Sequence, residues 1–436
     1  MNGDRFANRL AEFVGGKNVL VLGFGKEGRS TGRVLTDVGG YSRLDVADGS
    51  PAVSEYVPSG AAFISDGYMD ALENYDIVIK SPGIVLPDFI KNLKCQITCQ
   101  ADIFLGEYSK QTIGITGTKG KSTVATLLHH TLETAGREVV LAGNIGIPVF
   151  DVAAQVTPET VAVVELSCHQ LQHCSHSPSY AALLNLYEDH LDYYGTFCNY
   201  AKAKANIYSY QSERDVLYTH LKDLPITIKA RSQVRDVLAS DLPFSRFEDI
   251  GGVKLFGQHN LLNAAFVYKI CRDIGVGDEA FISALRTYVP LRHRIEFIGS
   301  KNGVGYYDDS ISTTAESTIC AVQSVPNAKT LILGGVDRGI DYSGLVDFLI
   351  DSDLELIIGM YDSGKRIRDL FLLRCAETGG ARFAYVDDLY QAAGIAQKNT
   401  PPGTACILSP AAASYGNFAN FEERGDVFRK ILFGIQ

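Results

Sequence analysis

The run Gly114-Ile115-Thr116-Gly117-Thr118-Lys119-Gly120-Lys121-Ser122-Thr123 constrains this chain more than any other stretch. An apolar strand pattern, Ile113–Thr116, leads into it, and a helix pattern, Ser122–Ala135, leads out. Strand, glycine-rich loop, Lys-Ser and helix form the context of a phosphate loop. Glycines let backbone N–H groups curl round phosphate oxygens, and the following helix points its positive end at them. In that frame Gly117, Thr118, Lys119, Gly120, Lys121, Ser122 and Thr123 hold a nucleotide. Lys121 reaches its terminal phosphates, and Ser122 Oγ is a ligand for Mg²⁺.

The rest of the chain repeats the same alternation. Strand patterns at Lys17–Leu22, Leu44–Ala47, Asp76–Lys80, Val139–Ala142, Val161–Glu165 and Ala181–Leu186 are separated by turns and helix patterns. Gly305–Tyr307, Leu331–Gly334, Leu356–Ile358 and Ala405–Leu408 continue it. Such alternation predicts α/β units with mostly parallel sheets. At 436 residues the chain has room for about three domains. Polar Gly106–Gln111 and the segment Leu291–Arg294 mark the edges, giving domains 1–108, 109–292 and 293–436. The weakly patterned residues 220–256 are expected to form a smaller mixed sheet on the central domain.

Composition excludes several classes. A net charge of −10 argues against broad nucleic-acid or anionic-membrane binding. No apolar run approaches the length of a membrane span, and Met1-Asn2-Gly3-Asp4-Arg5 does not open a signal peptide. Nine scattered cysteines, an odd number, fit reduced thiols in a cytoplasmic protein.

Two further motifs read ambiguously. Gly23-x-Gly25-x-x-Gly28 after a strand, with Asp45 or Asp48 about twenty residues on, matches a dinucleotide fingerprint. Alone it suggests an NAD enzyme, yet any pyrophosphate benefits from that geometry. Cys168-His169, His173-Cys174 and His176 form a dense Cys/His cluster. His169 and His173, four apart, could share a helix face, so the readings are a zinc site or a packed helix.

The phosphate loop has an unusual spacing. Only Thr118 and Lys119 separate its last two glycines, where the common form has four residues. A loop of this kind resembles the Mur ligase family, ATP-dependent amide-bond enzymes of peptidoglycan synthesis, and their folylpolyglutamate synthetase relatives. The resemblance continues in order along roughly residues 17 to 430. Gly143-Asn144-Ile145-Gly146, Glu165-Leu166-Ser167, Asn185 to Asp192, Tyr200 to Lys204 and Gly257-Gln258-His259-Asn260 with Asn263 are similar to family segments. So are Leu291 to Glu296, Tyr307 to Ser310, and Ser409 to Ser414 with Asn417 to Gly425. Length, the N-terminal Gly-rich turn with Ser81-Pro82-Gly83-Ile84, and the C-terminal run point to the family's glutamate-adding branch.

The resemblance implies three domains: a Rossmann-like N-terminal domain, a central P-loop ATPase domain and a Rossmann-like C-terminal domain. It implies a cytoplasmic, monomeric ligase that joins glutamate to UDP-N-acetylmuramoyl-L-alanine through an acyl phosphate. Lys121, Glu165, His190 and Lys204 are the implied catalytic residues. Ser122, Glu165, His190 and Lys204 would hold two Mg²⁺ ions, Lys204 as a carbamate. Lys202, two residues away, is the alternative lysine. Asn263, Arg294 and Asp309 would contact ATP at its adenine, γ-phosphate and ribose. Phe24, Gly25, Lys26, Asp48, Ser81, Gly83 and Asn144 would contact the UDP substrate. Neither nucleic acid nor membrane is an expected partner.

The amino-acid pocket departs from the family pattern. Asp309-Ser310-Ile311-Ser312-Thr313-Thr314 carries Ile311 where many D-glutamate ligases have a lysine. Thr313, Arg338, Ser414 and Phe421 remain for the amino acid, and Arg338 can grip a carboxylate bidentately. D-glutamate is the expected substrate, with L-glutamate the alternative. A non-ligating nucleotide-binding regulator of the same fold is the third reading, and loss of catalytic ligands would mark it.

Overall fold

The computed structural model describes residues 3–86, 93–374 and 381–434. Its strands form three sheets. The first holds β1 (Asn18–Leu22), β2 (Arg43–Ala47), β3 (Ala62–Ile64), β4 (Ile77–Lys80) and β5 (Gln96–Thr98). Their order is β3-β2-β1-β4-β5, and every pairing is parallel. The second holds β6 (Thr112–Thr116), β7 (Val139–Gly143), β8 (Val161–Glu165), β9 (Tyr180–Leu183), β10 (Val216–Thr219) and β11 (Gln233–Asp236). Its order is β11-β10-β9-β6-β8-β7, again all parallel.

The third sheet holds β12 (Glu296–Lys301), β13 (Val304–Asp308), β14 (Ala328–Leu333), β15 (Leu356–Met360), β16 (Arg382–Val386) and β17 (Ala405–Leu408). The order is β12-β13-β17-β14-β15-β16. Only the β12–β13 hairpin is antiparallel; the other pairs are parallel.

Central strands such as β4, β6 and β17 are buried at every position. They show no alternation because helices cover both faces of a parallel sheet. Each fully buried Val, Ile or Leu there contributes about 1.5–3 kcal/mol of transfer free energy. The strand order also fixes where ligands can sit. In the first sheet the chain runs from β1 to one side and returns to β4 on the other, and in the second it diverges in the same way from β6. Ligands of such sheets bind at the carboxyl ends of the strands where the order reverses.

Two compact units are evident. One is Met1–Val253 with Asn260–Tyr288, carrying the first two sheets; the other is Lys254–His259 with Val289–Gln436, carrying the third.

Residues 220–256 do not form the expected smaller mixed sheet. Gln233–Asp236 joins the main sheet as parallel edge strand β11, and short 3₁₀ turns surround it. An exposed edge strand needs little apolar pattern, which is why the sequence signal was weak. The expected packed helix over the Cys/His cluster is also short, ending at Leu171.

Candidate functional site

The phosphate loop joins β6 to the helix Lys121–Thr134. Gly120 caps that helix in the left-handed region at φ 86°. A Cβ there would fall 2.6 Å from Asn263 Oδ1, so only glycine allows the asparagine so close. Asn263 is thereby brought against the loop, where its amide donates to Asn260 Oδ1 at 3.0 Å. Thr118 and Lys119 donate their N–H groups to Asn185 Oδ1 at 3.1 and 2.9 Å. Thr118 Oγ1 meets Tyr200 Oη at 2.9 Å. Lys121 Nζ folds back to the Thr118 carbonyl at 3.1 Å. Ser122 and Thr123 occupy the helix's first turn, Thr123 buried.

Glu165 ends β8, the neighbour of β6, and pairs in register with Ile115. Its side chain is fully buried. Asn144 Nδ2 donates to Glu165 Oε1 at 2.7 Å, while Oε2 is buried without a partner. A buried carboxylate oxygen left unsatisfied is costly unless something positive meets it. A hard divalent cation is the fitting group. Asn144, expected as a substrate contact, therefore also holds this carboxylate in place.

Lys204 is buried, and its ammonium donates to the Gly117 carbonyl at 2.8 Å. It lies 4.9 Å from the Tyr200 ring centroid. Burial, followed by the nearby Lys121 charge, lowers its pKa to about 7. Lys202 is instead exposed. His190 has a left-handed backbone at φ 53° and a half-exposed ring. That ring lies 4.9 Å from His169 and 6.3 Å from Tyr200, centroid to centroid.

The Gly-rich turn after β1 is built differently. Gly28 packs so tightly that a Cβ would overlap the Gly23 carbonyl. Gly25 and Gly83 face open space. Ser81 Oγ donates to the Gly23 carbonyl at 2.7 Å. Asp48 accepts from the N–H of Phe24 at 2.6 Å, and the Phe24 ring is buried. Asp45 is consumed within the sheet by Tyr75 and the N–H of Ala62, so of the two acidic residues only Asp48 braces the turn. Lys26 Nζ lies 3.8 Å from where a Cβ of Gly146 would stand, beside the Asn144 segment.

In the unit carrying the third sheet, Asp309 follows β13 and is buried. It accepts from Ser409 Oγ at 2.7 Å and from the N–H of Ile295 at 3.2 Å. Burial raises its pKa to about 7, opposed by Ser312, Ser409 and Arg294. Arg294 stands between two left-handed residues, His293 and Ile295 at φ 62° and 47°, and its Nε is buried and unpartnered. His293 Nδ1 bonds Asp308 Oδ2 at 2.7 Å and fixes this strained turn. Thr313, Arg338 and Ser414 lie on loops after β13, β14 and β17. The Val336–Ala413 bridge ties the Arg338 loop to the Ser414 loop. Phe421 stacks edge-on to His293 at 6.2 Å.

Asn185, Tyr200 and His293 brace these segments through hydrogen bonds that the sequence did not announce. Each lies inside a quoted motif, but nothing in the sequence says that it props a neighbour. The cluster from Cys168 to His176 does not stay together. His176 pairs with Asp102 at 2.9 Å, Cys174 Sγ sits 3.9 Å from Cys99 Sγ, and Cys168 and His169 turn toward His190.

A phosphate loop backed by an unsatisfied buried carboxylate and a buried lysine suits the class of enzymes that work on a nucleotide's phosphates. Relatives give this class its family. The profile of the Mur ligase middle domain matches residues 115–245. The UDP-N-acetylmuramoylalanine–D-glutamate ligase of Geobacillus kaustophilus is 32% identical, over 94% of this chain and 96% of its own length. The enzyme of that name from Streptococcus mutans is similar to the same extent, 32% over 94% and 96%. Among solved structures, a MurF ligase from Thermotoga maritima in complex with ADP aligns with a TM-score of 0.57 at 17% identity. It covers 97% of this chain and 96% of its own. The UDP-N-acetylmuramate-alanine ligase MurC of that organism aligns with a TM-score of 0.57 at 16% identity, over 96% of this chain and 99% of its own. These two share the fold. The chain belongs to the Mur ligase family and, with it, to the ATP-dependent ligases.

Proposed function

We propose that this ligase adds D-glutamate to UDP-N-acetylmuramoyl-L-alanine, using ATP to form an acyl phosphate, in the cytoplasmic phase of peptidoglycan synthesis. The observation that carries the reading is the convergence of Lys121, Lys204 and the unpartnered Glu165 Oε2 on one phosphate loop. Joining a carboxylate to an amine brings two negative reactants together, and fixed cations in a dry site reduce that cost.

Each residue then has a task. Lys121 neutralises the terminal phosphates, and the N–H groups of the Gly117–Gly120 loop position them. Ser122 and Glu165 would hold one Mg²⁺; His190 and a carbamylated Lys204 would hold the other. Bound there, the metal neutralises the phosphate charge that builds during transfer. The buried Lys204 amine, with its pKa near 7, is in part neutral at physiological pH, and only a neutral amine takes up CO₂. Asn144 keeps Glu165 aimed. The Gly23–Gly28 turn, with Lys26 and Asp48, takes the diphosphate of the UDP substrate. Asn263, Arg294 and Asp309 are read as nucleotide contacts. Thr313, Arg338, Ser414 and Phe421 are read as the glutamate site. The three sheets support three domains, with edges near 108 and 292, in a monomeric enzyme.

The curated relatives named above carry D-glutamate in their names, which favours that enantiomer despite Ile311. The test gives the purified enzyme ATP, Mg²⁺ and UDP-N-acetylmuramoyl-L-alanine with each enantiomer separately. ADP, phosphate and a lengthened peptide are expected with D-glutamate. Turnover with L-glutamate alone would overturn the choice of enantiomer. ATP hydrolysis without amide product would overturn the ligase reading for a regulatory one.

A further inference from the structure

A buried polar cluster with no part in the chemistry above lies beside the first glycine-rich turn. Glu27 sits in the first turn of the helix Lys26–Val38. One of its carboxylate oxygens accepts from Gln170 Nε2 at 3.1 Å, while Oε1 is buried without a partner. Gln100 Nε2 donates to the Glu27 carbonyl at 3.0 Å, and Gln100 Oε1 is likewise buried and unpartnered. Lys80 ends β4, is buried, and donates its ammonium to the carbonyls of Ser81 and Pro82 at 3.0 Å each. His173 Nε2 is a third buried atom without a partner. Unsatisfied buried polar atoms cost stability, so this cluster points to a role beyond holding the fold.

Its connections run two ways. Ser81, held by Lys80 through its carbonyl, donates its hydroxyl to the Gly23 carbonyl at 2.7 Å. Gln170, held by Glu27, accepts at Oε1 from the N–H and hydroxyl of Ser167 at 3.0 and 3.1 Å. Ser167 stands two residues after Glu165. The cluster therefore joins both segments read as UDP contacts to the strand end beside the phosphate loop.

We propose, on the UDP-substrate reading given above, that Glu27 and Lys80 are a positioning pair for the UDP-linked substrate. The Lys80 ammonium pins the Ser81–Pro82 segment beside the diphosphate turn. Glu27 keeps that ammonium charged and ties the turn's helix to the Ser167–Gln170 cap. Neither side chain needs to touch the substrate.

The pair is set to change charge on either side of a narrow range. Burial raises the Glu27 pKa to about 7, opposed by the Gln170 hydrogen bond and the Lys80 charge. Burial lowers the Lys80 pKa to about 8, opposed by Cys99 and Glu27. The other groups facing the pair hold their state. His173 is kept neutral, at about 4, by burial and then by Lys80. The hydrogen bond to Cys99, followed by burial, pushes the Cys174 thiol well up. Both thiols donate to the Gln170 carbonyl at 3.2 Å, and Asp102 is balanced by His176 at 2.9 Å. Below about 7 Glu27 takes up a proton, and above about 8 Lys80 gives one up, so substrate affinity should fall on both sides.

Calorimetry of the full-length enzyme with UDP-N-acetylmuramoyl-L-alanine, without ATP or glutamate and across pH, tests this. Lys80→Met should weaken binding by about tenfold or more, while KM for ATP in the ligation assay stays within about twofold. Glu27→Gln, which keeps the side chain's size, should weaken binding by a smaller factor and remove the acid-side fall. Lys80→Arg, which stays charged, should remove the alkaline-side fall. The double variant Glu27→Gln/Lys80→Met should bind no more weakly than Lys80→Met alone, because partners in one interaction are not additive. Circular dichroism reports whether each variant folds; if Lys80→Met does not, Glu27→Gln decides. Glu27→Gln protein with wild-type affinity and pH profile, or equal damage to KM for ATP, would overturn the pair and leave the ligase reading standing. Wild-type protein that binds no UDP substrate would overturn both.

Discussion

The two glycine-rich turns, Gly23–Gly28 and Gly117–Gly120, invite direct comparison. Both follow a central parallel strand and open a helix, at the reversal point of their sheet. Both can therefore offer backbone N–H groups and a helix's positive end to phosphate oxygens. What surrounds them differs. The first is held by residues just past the two neighbouring strands β2 and β4, with Asp48 on the Phe24 N–H and Ser81 on the Gly23 carbonyl, and it closes on itself where Gly28 meets Gly23. The second is held from outside by Asn185, Tyr200 and Asn263, and it faces Glu165, Lys121 and Lys204. Backbone geometry suffices to bind a diphosphate, whereas moving a phosphoryl group also needs cations and a place for metal.

If that contrast is right, the largest effect comes from the carboxylate. Glu165→Gln should lower kcat by about 10²-fold or more while UDP-substrate affinity, measured by calorimetry, stays within twofold of wild type. Equal loss of both would erase the distinction. Asn144→Ala, which frees Glu165 without removing it, should cost about 10- to 100-fold in apparent Mg²⁺ affinity in the ligation assay.

The glycines give a sharper and smaller test. In Gly28→Ala the new methyl meets backbone that cannot yield, so chemical denaturation should show a loss of about 3 kcal/mol. In Gly120→Ala the obstacle is a side-chain amide, and the left-handed backbone adds about 1–2 kcal/mol. Its stability should fall by only that much, with ATP affinity the main casualty. Similar stability losses in the two would mean that the turns are braced alike.

The smallest effect concerns Lys204. Its folded pKa is lowered to about 7 by burial, so between there and the ordinary lysine value the unfolded chain holds the extra proton. Lys204's contribution to stability is therefore least favourable below about pH 7 and improves as pH rises through that window. Labelled CO₂ should give a ¹³C carbamate signal that grows as pH climbs through about 7 and is absent in Lys204→Met. A signal unchanged by that substitution would remove Lys204 from the metal site.

Much of this was legible beforehand. The strand at Val161–Glu165 and the helix after Lys121 follow from local apolar runs bounded by glycine, and the motif order carried the family. The weak spots were physical. Residues 220–256 lack pattern because β11 is an edge strand whose sides are not both buried. The Cys/His cluster looked like one helix face, yet the helix stops at Leu171 and its members separate toward Asp102, Cys99 and His190. Asn185 and Tyr200 gave no signal because their work is to brace a loop far away in sequence.

The sequence by itself determined the α/β alternation, the phosphate loop and the inventory of groups able to carry the chemistry, since strand, turn and helix preferences act over a few residues. Tertiary structure alone decided that Glu165 keeps one oxygen unpaired, that Lys204 and not Lys202 is buried beside Gly117, and that His190 meets Cys168 and His169. Those properties depend on desolvation and on contacts between residues tens of positions apart, which no local pattern encodes.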